Sequence, residues 1–289
     1  MQYTKQEWRP SRAAIFASTS ITLLTMVSRN NIVFGIRAFD SSILVDCADA
    51  EIRDELDRYL FPPLPRSESA PLSPDVHLIV ERIGDHFRVE IDEKLAASAV
   101  TLHDAALAAV KALDDAVIHR MKMFRAVHAG ALLIDGKALL LPGTSHAGKS
   151  SLVAELLRRG ASHYSDEYAL IDDQGLTHSY PRPLLLRNGS PMQTLVLPEE
   201  LNAHFANQPA PAGWILALDY VPGGQWKIHE LSQSEAVMLL LRNTPHEMAK
   251  SPEMIDFFLL VADKALCFEG ERGEAAEAAT CVLDLIRRK

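Results

Sequence analysis

The stretch GTSHAGKSS, residues 143–151, has the spacing G-x-x-x-x-G-K-S. That is the pattern of a phosphate-binding loop joining a strand to a helix. The glycines let the backbone curl, and the loop amides and the positive end of the helix dipole face phosphate oxygens. The lysine then reaches the β and γ phosphates, and the serine hydroxyl ligates Mg²⁺. Chance alone puts this pattern in roughly 1% of chains of this length, so the phosphate loop is the reading taken forward. The expected nucleotide-binding set is Gly143, Thr144, Ser145, His146, Ala147, Gly148, Lys149, Ser150 and Ser151.

The flanking residues supply the elements such a loop needs. KSSLVAELLRR, residues 149–159, reads as a helix, with Arg158 and Arg159 near its negative end and Gly160 as its stop. Upstream, HAGALLIDGKALLLPG, residues 128–143, holds two apolar runs around Asp135-Gly136. That dipeptide supplies the positive φ values of a type I′ turn, so a two-residue hairpin is expected. In its register Ile134 faces Lys137, and His128 lies opposite Gly143.

Downstream, SHYSDEYALID, residues 162–172, puts Asp166 seventeen positions after Lys149. A short helix and turn return the chain to the same end of the sheet, as in a βαβ crossover, and bring an acid beside the phosphates. Asp166 then holds Mg²⁺, directly or through water, or takes the proton of an attacking hydroxyl. Glu167 is a second carboxylate, so Ser150, Asp166 and Glu167 form the candidate metal set. Arg182 and Arg187, in YPRPLLLRNG, are candidates to clamp a substrate phosphate or carboxylate, because the guanidinium fork suits such groups.

The bulk numbers bound the partners. A chain of 289 residues with 48% hydrophobic content can bury one large core or two modest ones. A net charge of −9 argues against a broad nucleic-acid footprint. Three cysteines, Cys47, Cys267 and Cys281, stand far apart with no C-x-x-C pair, which suggests neither a zinc site nor a disulfide framework and makes a reducing, cytoplasmic compartment the expectation. Residues 13–27, AAIFASTSITLLTMV, are interrupted by Ser and Thr and lack a small-residue cleavage site, so they read as a buried strand or short helix. No stretch reaches the ~20 continuous apolar residues of a spanning helix, and no membrane partner is expected.

Residues 1–124 are expected to form a smaller α/β region. NIVFGIRAF and SSILVDC read as strands, residues 48–60 as an acidic helix, and HLIVERI with HFRVEI as a hairpin turning at Gly84-Asp85. Residues 61–74 carry five of the sixteen prolines and read as an irregular connector. From Leu102 to about Phe124 the apolar positions Ala105, Ala106, Ala109, Val110, Leu113, Val117 and Met121 keep a helical period. Nothing in this half carries recognisable chemistry, although it is where a substrate could be recognised. The last segment, GEAAEAATCVLDLIRRK, reads as an amphipathic packing helix.

His128 and its hairpin, GTSHAGKSS, the helix ending in RRGA, and SDE together resemble the catalytic domain of the HPr kinase/phosphorylase superfamily. The core of that family is similar to that of phosphoenolpyruvate carboxykinases. The resemblance covers roughly residues 128–173 and implies an α/β P-loop core with a mixed sheet over residues 125–289. It implies ATP and Mg²⁺ as cofactors, Lys149 and Ser150 as phosphate and magnesium residues, and Asp166 as general base. His128 then pairs with Asp166 or positions the phosphoryl group, giving Asp166, His128 and Lys149 as the catalytic set. It also hints at a homo-oligomer. The chain departs from the family at His146, where a Gly is usual, and at Glu167, where a second Asp is usual. It also lacks the downstream Gly-rich signature tied to phosphorolysis, so a kinase without the reverse reaction is expected. The pattern looks more like compact forms that act on peptides, including those that phosphorylate a terminal Ser of a lasso-peptide precursor. Three functions are carried forward: transfer to a Ser of a peptide or protein, lasso-type or HPr-like; transfer to a small alcohol such as free serine; and nucleotide-dependent regulation without transfer.

Overall fold

The computed structural model describes residues 31–68, 71, 73–143, 148–187 and 192–288. The readings made for residues 13–27 and for Thr144, Ser145, His146 and Ala147 lie outside the described residues. Those from Asn31 onward belong to one compact unit. It is α/β with mixed sheets, and seven helices are formed among the described residues.

The first sheet takes its strands from β1 (Ile32–Ala38), β2 (Ser41–Cys47), β3 (Arg66–Ser67), β4 (Val76–Ile83), β5 (His86–Ile91) and β6 (Lys94–Ala99), in the order β3-β1-β2-β4-β5-β6. Strict alternation in β2 buries Ser41, Ile43, Val45 and Cys47 on one face, the period-2 signature of a half-covered strand. Helices α1 (Ala50–Tyr59) and α2 (Leu102–Arg120) start where Asp49 and Thr101 accept the amides of Ile52 and Asp104. Strand β6 escapes the sequence reading because KLAASA is mostly exposed and has no apolar period; its pairing to β5 defines it. The proline-rich connector contains β3, fixed by the Arg66 guanidinium on the Asp57 carboxylate and on the carbonyls of Asp57, Leu60, Phe61 and Leu64.

The second sheet begins with the expected hairpin, β7 (Arg125–Ile134) and β8 (Lys137–Pro142). Asp135 and Gly136 sit at φ 48 and 76, and Ile134 pairs with Lys137. The register runs to Ala129 opposite Pro142, and the Gly143 amide then donates to the His128 carbonyl at 3.4 Å. Helix α3 (Lys149–Arg158) follows, ended by Gly160 at φ 100. The chain returns in β9 (Ser162–Ser165) and β10 (Tyr168–Ile171), both antiparallel to β7. Strand β9 is therefore parallel to β8 with β7 between them, so the crossover spans one intervening strand. The SHYSDEYALID segment pairs along β7 with a bulge at Tyr164, and from Ser165 to Tyr168 the register is unbroken, with Asp166 and Glu167 in the bend that joins β9 to β10.

The remaining elements are β11 (Leu176–His178), β12 (Leu184–Leu186), β13 (Thr194–Val196), β14 (Ala210–Tyr220), β15 (Lys227–Glu230), α4 (Gln233–Arg242), α5 (His246–Ala249), α6 (Met254–Asp263), β16 (Leu266–Arg272) and α7 (Ala275–Arg288). Their sheet order is β11-β10-β7-β8-β14-β16-β15, with β8, β14 and β16 parallel. Strand β11 also pairs with β14, so five strands close on one another at one end. The parallel trio is apolar on both faces, as parallel strands between helices must be. Trp214, Leu216 and Leu218 join α3 and α7, while Ala212, Ile215 and Ala217 join α4 and α6. No helix of the described residues is long and apolar enough to cross a membrane.

The chain passes from the first sheet to the second between Arg120 and Arg125, and the core under α2 takes in Leu170, Tyr180, Leu185 and Leu195 from beyond that passage. Helix α3 is seated on β7 at Gly130, where an added β-carbon would lie 2.8 Å from the Val153 Cγ2 atom. Gly130→Val is therefore expected to destabilise the protein by about 1–3 kcal/mol, the usual range for overpacking a filled core. Urea denaturation checks this; unchanged stability would mean that α3 is not locked to the hairpin.

Candidate functional site

The α3 N-terminus is set by a left-handed residue, Gly148 at φ 73. Glycine is required there twice over, since an added β-carbon would also meet Nη2 of Arg272 at 2.3 Å. Arg272, buried at the end of β16, donates to the carbonyls of Gly148 at 2.8 Å and Gly273 at 2.8 Å. It pins the last residue of the loop to the end of a central strand. Sequence reasoning missed it, and nothing local to Arg272 signals the role.

One residue into the helix, Lys149 folds its ammonium back onto the Gly143 carbonyl at 2.7 Å, so the two ends of the motif are bridged by its own lysine. Burial lowers the pKa of that ammonium, opposed by the Glu167 and Asp166 carboxylates. Ser150 turns its hydroxyl to the Asp166 carboxylate, donating to Oδ2 at 2.9 Å. The expected juxtaposition of the motif's serine with the acid after the crossover is thus present.

Asp166 itself is fully buried. Its Oδ2 also accepts the Leu185 amide at 3.2 Å, and Oδ1 lies 3.4 Å from Nη1 of Arg182. Glu167, the next residue, is half-buried and meets His128 Nε2 at 2.9 Å and Arg182 Nη1 at 3.5 Å. His128 therefore pairs with Glu167, whereas the resemblance offered Asp166 as its partner. Burial alone would raise the Glu167 carboxyl, but the His128 hydrogen bond and the Arg182, His128 and Lys149 charges pull it down to about 2.

Arg182 lies at the centre. It is 2% exposed, and besides Asp166 and Glu167 it binds Asp114 of α2, Nη2 to Oδ2, at 2.8 Å. Tyr180 donates to the other oxygen of Asp114 at 2.8 Å. Despite the burial that opposes its charge, the three carboxylates hold the Arg182 pKa raised. Its guanidinium is therefore not a surface arginine, but a buried cation shared among the protein's own acids that also lines the cavity described below. Asp114 was missed, but a signal existed: it falls in the series Ala106, Val110, Asp114, Val117, Met121, on the apolar stripe of a helix. An acid on such a stripe requires a buried partner.

These groups surround a cavity of about 430 Å³. The loop–helix junction contributes Gly148, Lys149, Ser150 and Ser151, and the bend into β10 contributes Glu167 and Tyr168. Arg182, Leu185, Arg187 and Gln193 come from the following segments, and Lys111, Asp114 and Asp115 from α2. Asp166 is behind this surface, not on it.

The donor set can be tested for a divalent cation. Among the described residues, no cluster of three or more His, Cys, Asp or Glu is arranged to hold a metal by protein ligands alone. Magnesium does not need one, because it usually takes one or two carboxylates together with substrate phosphates and water. Ser150 and Glu167 present a hydroxyl and a carboxylate to the cavity, with Asp166 behind Ser150. Asp166 and Glu167 bring negative charge against Arg182 and Lys149, while burial pushes the Asp114 carboxyl up to about 7. The residues fit the ion.

No family model matches the chain, and a search of curated proteins finds no match either.

The Glu167 carboxyl, held below its ordinary 4.5, makes a pH prediction. A depressed folded-state pKa gives stability that is fully present above the unfolded value and is lost as pH falls toward the folded one. The stability difference between the native protein and Glu167→Gln should be constant from about pH 7 down to 4.5 and shrink from 4.5 toward 2. Urea midpoints measured across that range check it; a difference that grows on acidification would contradict the assigned environment.

Proposed function

We propose that this protein is an ATP- and Mg²⁺-dependent kinase that transfers the γ-phosphoryl group to a hydroxyl, that of a Ser in a peptide or protein. This follows the chemistry implied by the likeness to HPr kinases. The observation that carries the reading is the Ser150–Asp166 hydrogen bond at the N-terminus of α3, beside Lys149 and at the edge of a cavity lined by Glu167. A glycine turn without function has no reason to bring an acid from across a crossover onto the hydroxyl of G-K-S.

In this reading the acceptor oxygen attacks the γ-phosphorus in line. A new oxygen–phosphorus bond forms while the bond to the β–γ bridging oxygen breaks, and ADP leaves with that electron pair. Lys149 stabilises the charge on the transferring group. Ser150, its hydroxyl held by Asp166, would take magnesium together with the nucleotide phosphates, and the ion would neutralise charge there. The acceptor proton passes to a carboxylate. Asp166 is the base expected from the sequence, but it is fully buried and its oxygens are taken by Ser150, Leu185 and Arg182. Glu167 lines the cavity and is steadied by His128, so it is the better-placed acceptor. A weak base suffices, because a loose phosphoryl-transfer transition state asks little proton removal before the new bond is well formed.

Lys149→Ala should abolish transfer of label from γ-labelled ATP while leaving the fold largely intact. Asp166→Asn and Glu167→Gln should each keep ATP binding and lose turnover by about 10²-fold or more, the common cost of removing a positioned acid–base or orienting group. Transfer at the native rate by Lys149→Ala would overturn the site assignment.

A further inference from the structure

Of the three acids around Arg182, Asp114 alone comes from the first layer, and the reaction proposed above gives it nothing to do. It stands in α2, which otherwise rests on an apolar core that includes Leu56 of α1, Leu78 of β4, Val89 of β5 and Ala99 of β6. Its carboxyl group is held from two sides. Tyr180 donates to Oδ1 at 2.8 Å, and Nη2 of Arg182 lies 2.8 Å from Oδ2. The Tyr180 ring is fixed in turn, stacked on Phe39 at 5.6 Å and met edge-on by Phe61 at 5.5 Å and Tyr168 at 6.2 Å.

The guanidinium is shared unequally. Nη2 goes to Asp114 at 2.8 Å, whereas Nη1 lies 3.4 Å from Asp166 and 3.5 Å from Glu167. Nε of Arg182 is buried and has no hydrogen-bond partner, so the short contact to Asp114 is the one that orients the group. Asp166 is fixed by Ser150 and the Leu185 amide. Glu167, half-exposed and one methylene longer, is the partner with room to move. Three acids about one guanidinium cannot all keep their charge without mutual repulsion, and a neutral phenol is the only help Asp114 receives besides Arg182 among the hydrogen bonds described. Burial pushes its carboxyl up to about 7, opposed by the Arg182 charge and the Tyr180 hydrogen bond and aided by the Glu167 and Asp166 charges. Lys111 and Asp115 of its own helix and Tyr168 of β10 line the cavity beside it. Glu55 of α1 faces His103 near the start of α2, roughly 16 Å away along the axis.

We infer that Asp114 is a positioning residue: ionised, it holds Arg182 off Glu167 and leaves that carboxylate turned to the cavity; neutral, it releases the guanidinium, which draws Glu167 inward. Its effect on turnover rests on the kinase reading. Through this contact the first layer governs the group that receives the acceptor proton, and turnover rises as pH passes upward through neutrality.

Asparagine copies the neutral acid, so the test compares the full chain with Asp114→Asn, using γ-labelled ATP, Mg²⁺ and whichever of L-serine and a short Ser-containing peptide takes label. The ratio of native to variant kcat cancels what pH does to ATP and to groups the two proteins share. It should be near one at about pH 5.5, grow through neutrality and level off at about 10- to 100-fold by about pH 8.5, the usual cost of a displaced group at the reacting atoms. KM for ATP should not change. Tyr180→Phe removes the donor that favours the ionised acid, so the rise of its kcat should come at higher pH than in the native protein. A ratio that is constant with pH, at one or at any other value, would overturn the inference and leave the kinase reading standing.

If no acceptor is labelled, the positioning is judged on its own, and absence of ATP binding as well means that the kinase reading has failed. The buried Nε–H of Arg182 gives a proton–nitrogen NMR signal that is assigned through its side-chain carbons. It should move through neutral pH in the native protein and stay in place in Asp114→Asn. A signal that titrates alike in both proteins, or in neither, overturns the inference. Where Asp114→Asn does not keep native melting behaviour, Tyr180→Phe takes its place: an upward shift of the midpoint supports the inference and an unchanged midpoint overturns it.

Discussion

A guanidinium shared by three carboxylates, none of them far from its neighbours, is the arrangement on which the rest of the site depends. Arg182 is buried, and the charges of Asp114, Asp166 and Glu167 converge on it. An unpaired charge at such depth would cost several kcal/mol, and breaking a buried pair typically costs about 3–5 kcal/mol because the survivor is stranded. None of the four groups can therefore move independently. Asp114 ties the network to α2 of the first layer, Asp166 ties it to Ser150 at the start of α3, and Glu167 ties it to the cavity and to His128. The first sheet consequently does more than cover the second: its helix supplies a buried partner and part of the cavity wall.

Much of this was legible in the sequence because it depends on short-range chemistry. The Asp135-Gly136 turn needs only two positive φ values, and from it the whole β7–β8 register follows, down to His128 beside Gly143. The α3 helix, its glycine stop and the return of Asp166 to Ser150 were likewise legible from turn length and helix length alone. The amphipathic C-terminal helix was legible from its period and is formed as α7 over Ala275–Arg288.

What was not legible depends on tertiary neighbours. Nothing near Arg182 says whether it is a surface arginine or a buried hub, because the answer lies in α2, more than sixty residues earlier. Arg272 meets Gly148 only because β16 ends beside the start of α3. Nothing local to Lys111 shows that it lines the cavity with Gln193, whose side-chain oxygen accepts its ammonium. Asp114 is the instructive case, since its place on an apolar stripe was visible and only its partner was not. The division of labour between Asp166 and Glu167 was also beyond the sequence. Adjacent residues of an extended segment point to opposite sides, and which side is the interior and which the cavity is decided by the elements packed around them.

Ser150, held by Asp166, is proposed as the metal-facing residue of a nucleotide site. The most direct measurement of that role is titration of Mn²⁺, as a spectroscopic stand-in for magnesium, followed by electron paramagnetic resonance with a non-hydrolysable ATP analogue. The native protein should sequester Mn²⁺ only when the nucleotide is present, and Ser150→Ala should lose that sequestration while keeping its fold. Nucleotide-dependent Mn²⁺ binding that is equally strong in Ser150→Ala, or absent from the native protein, would contradict the account.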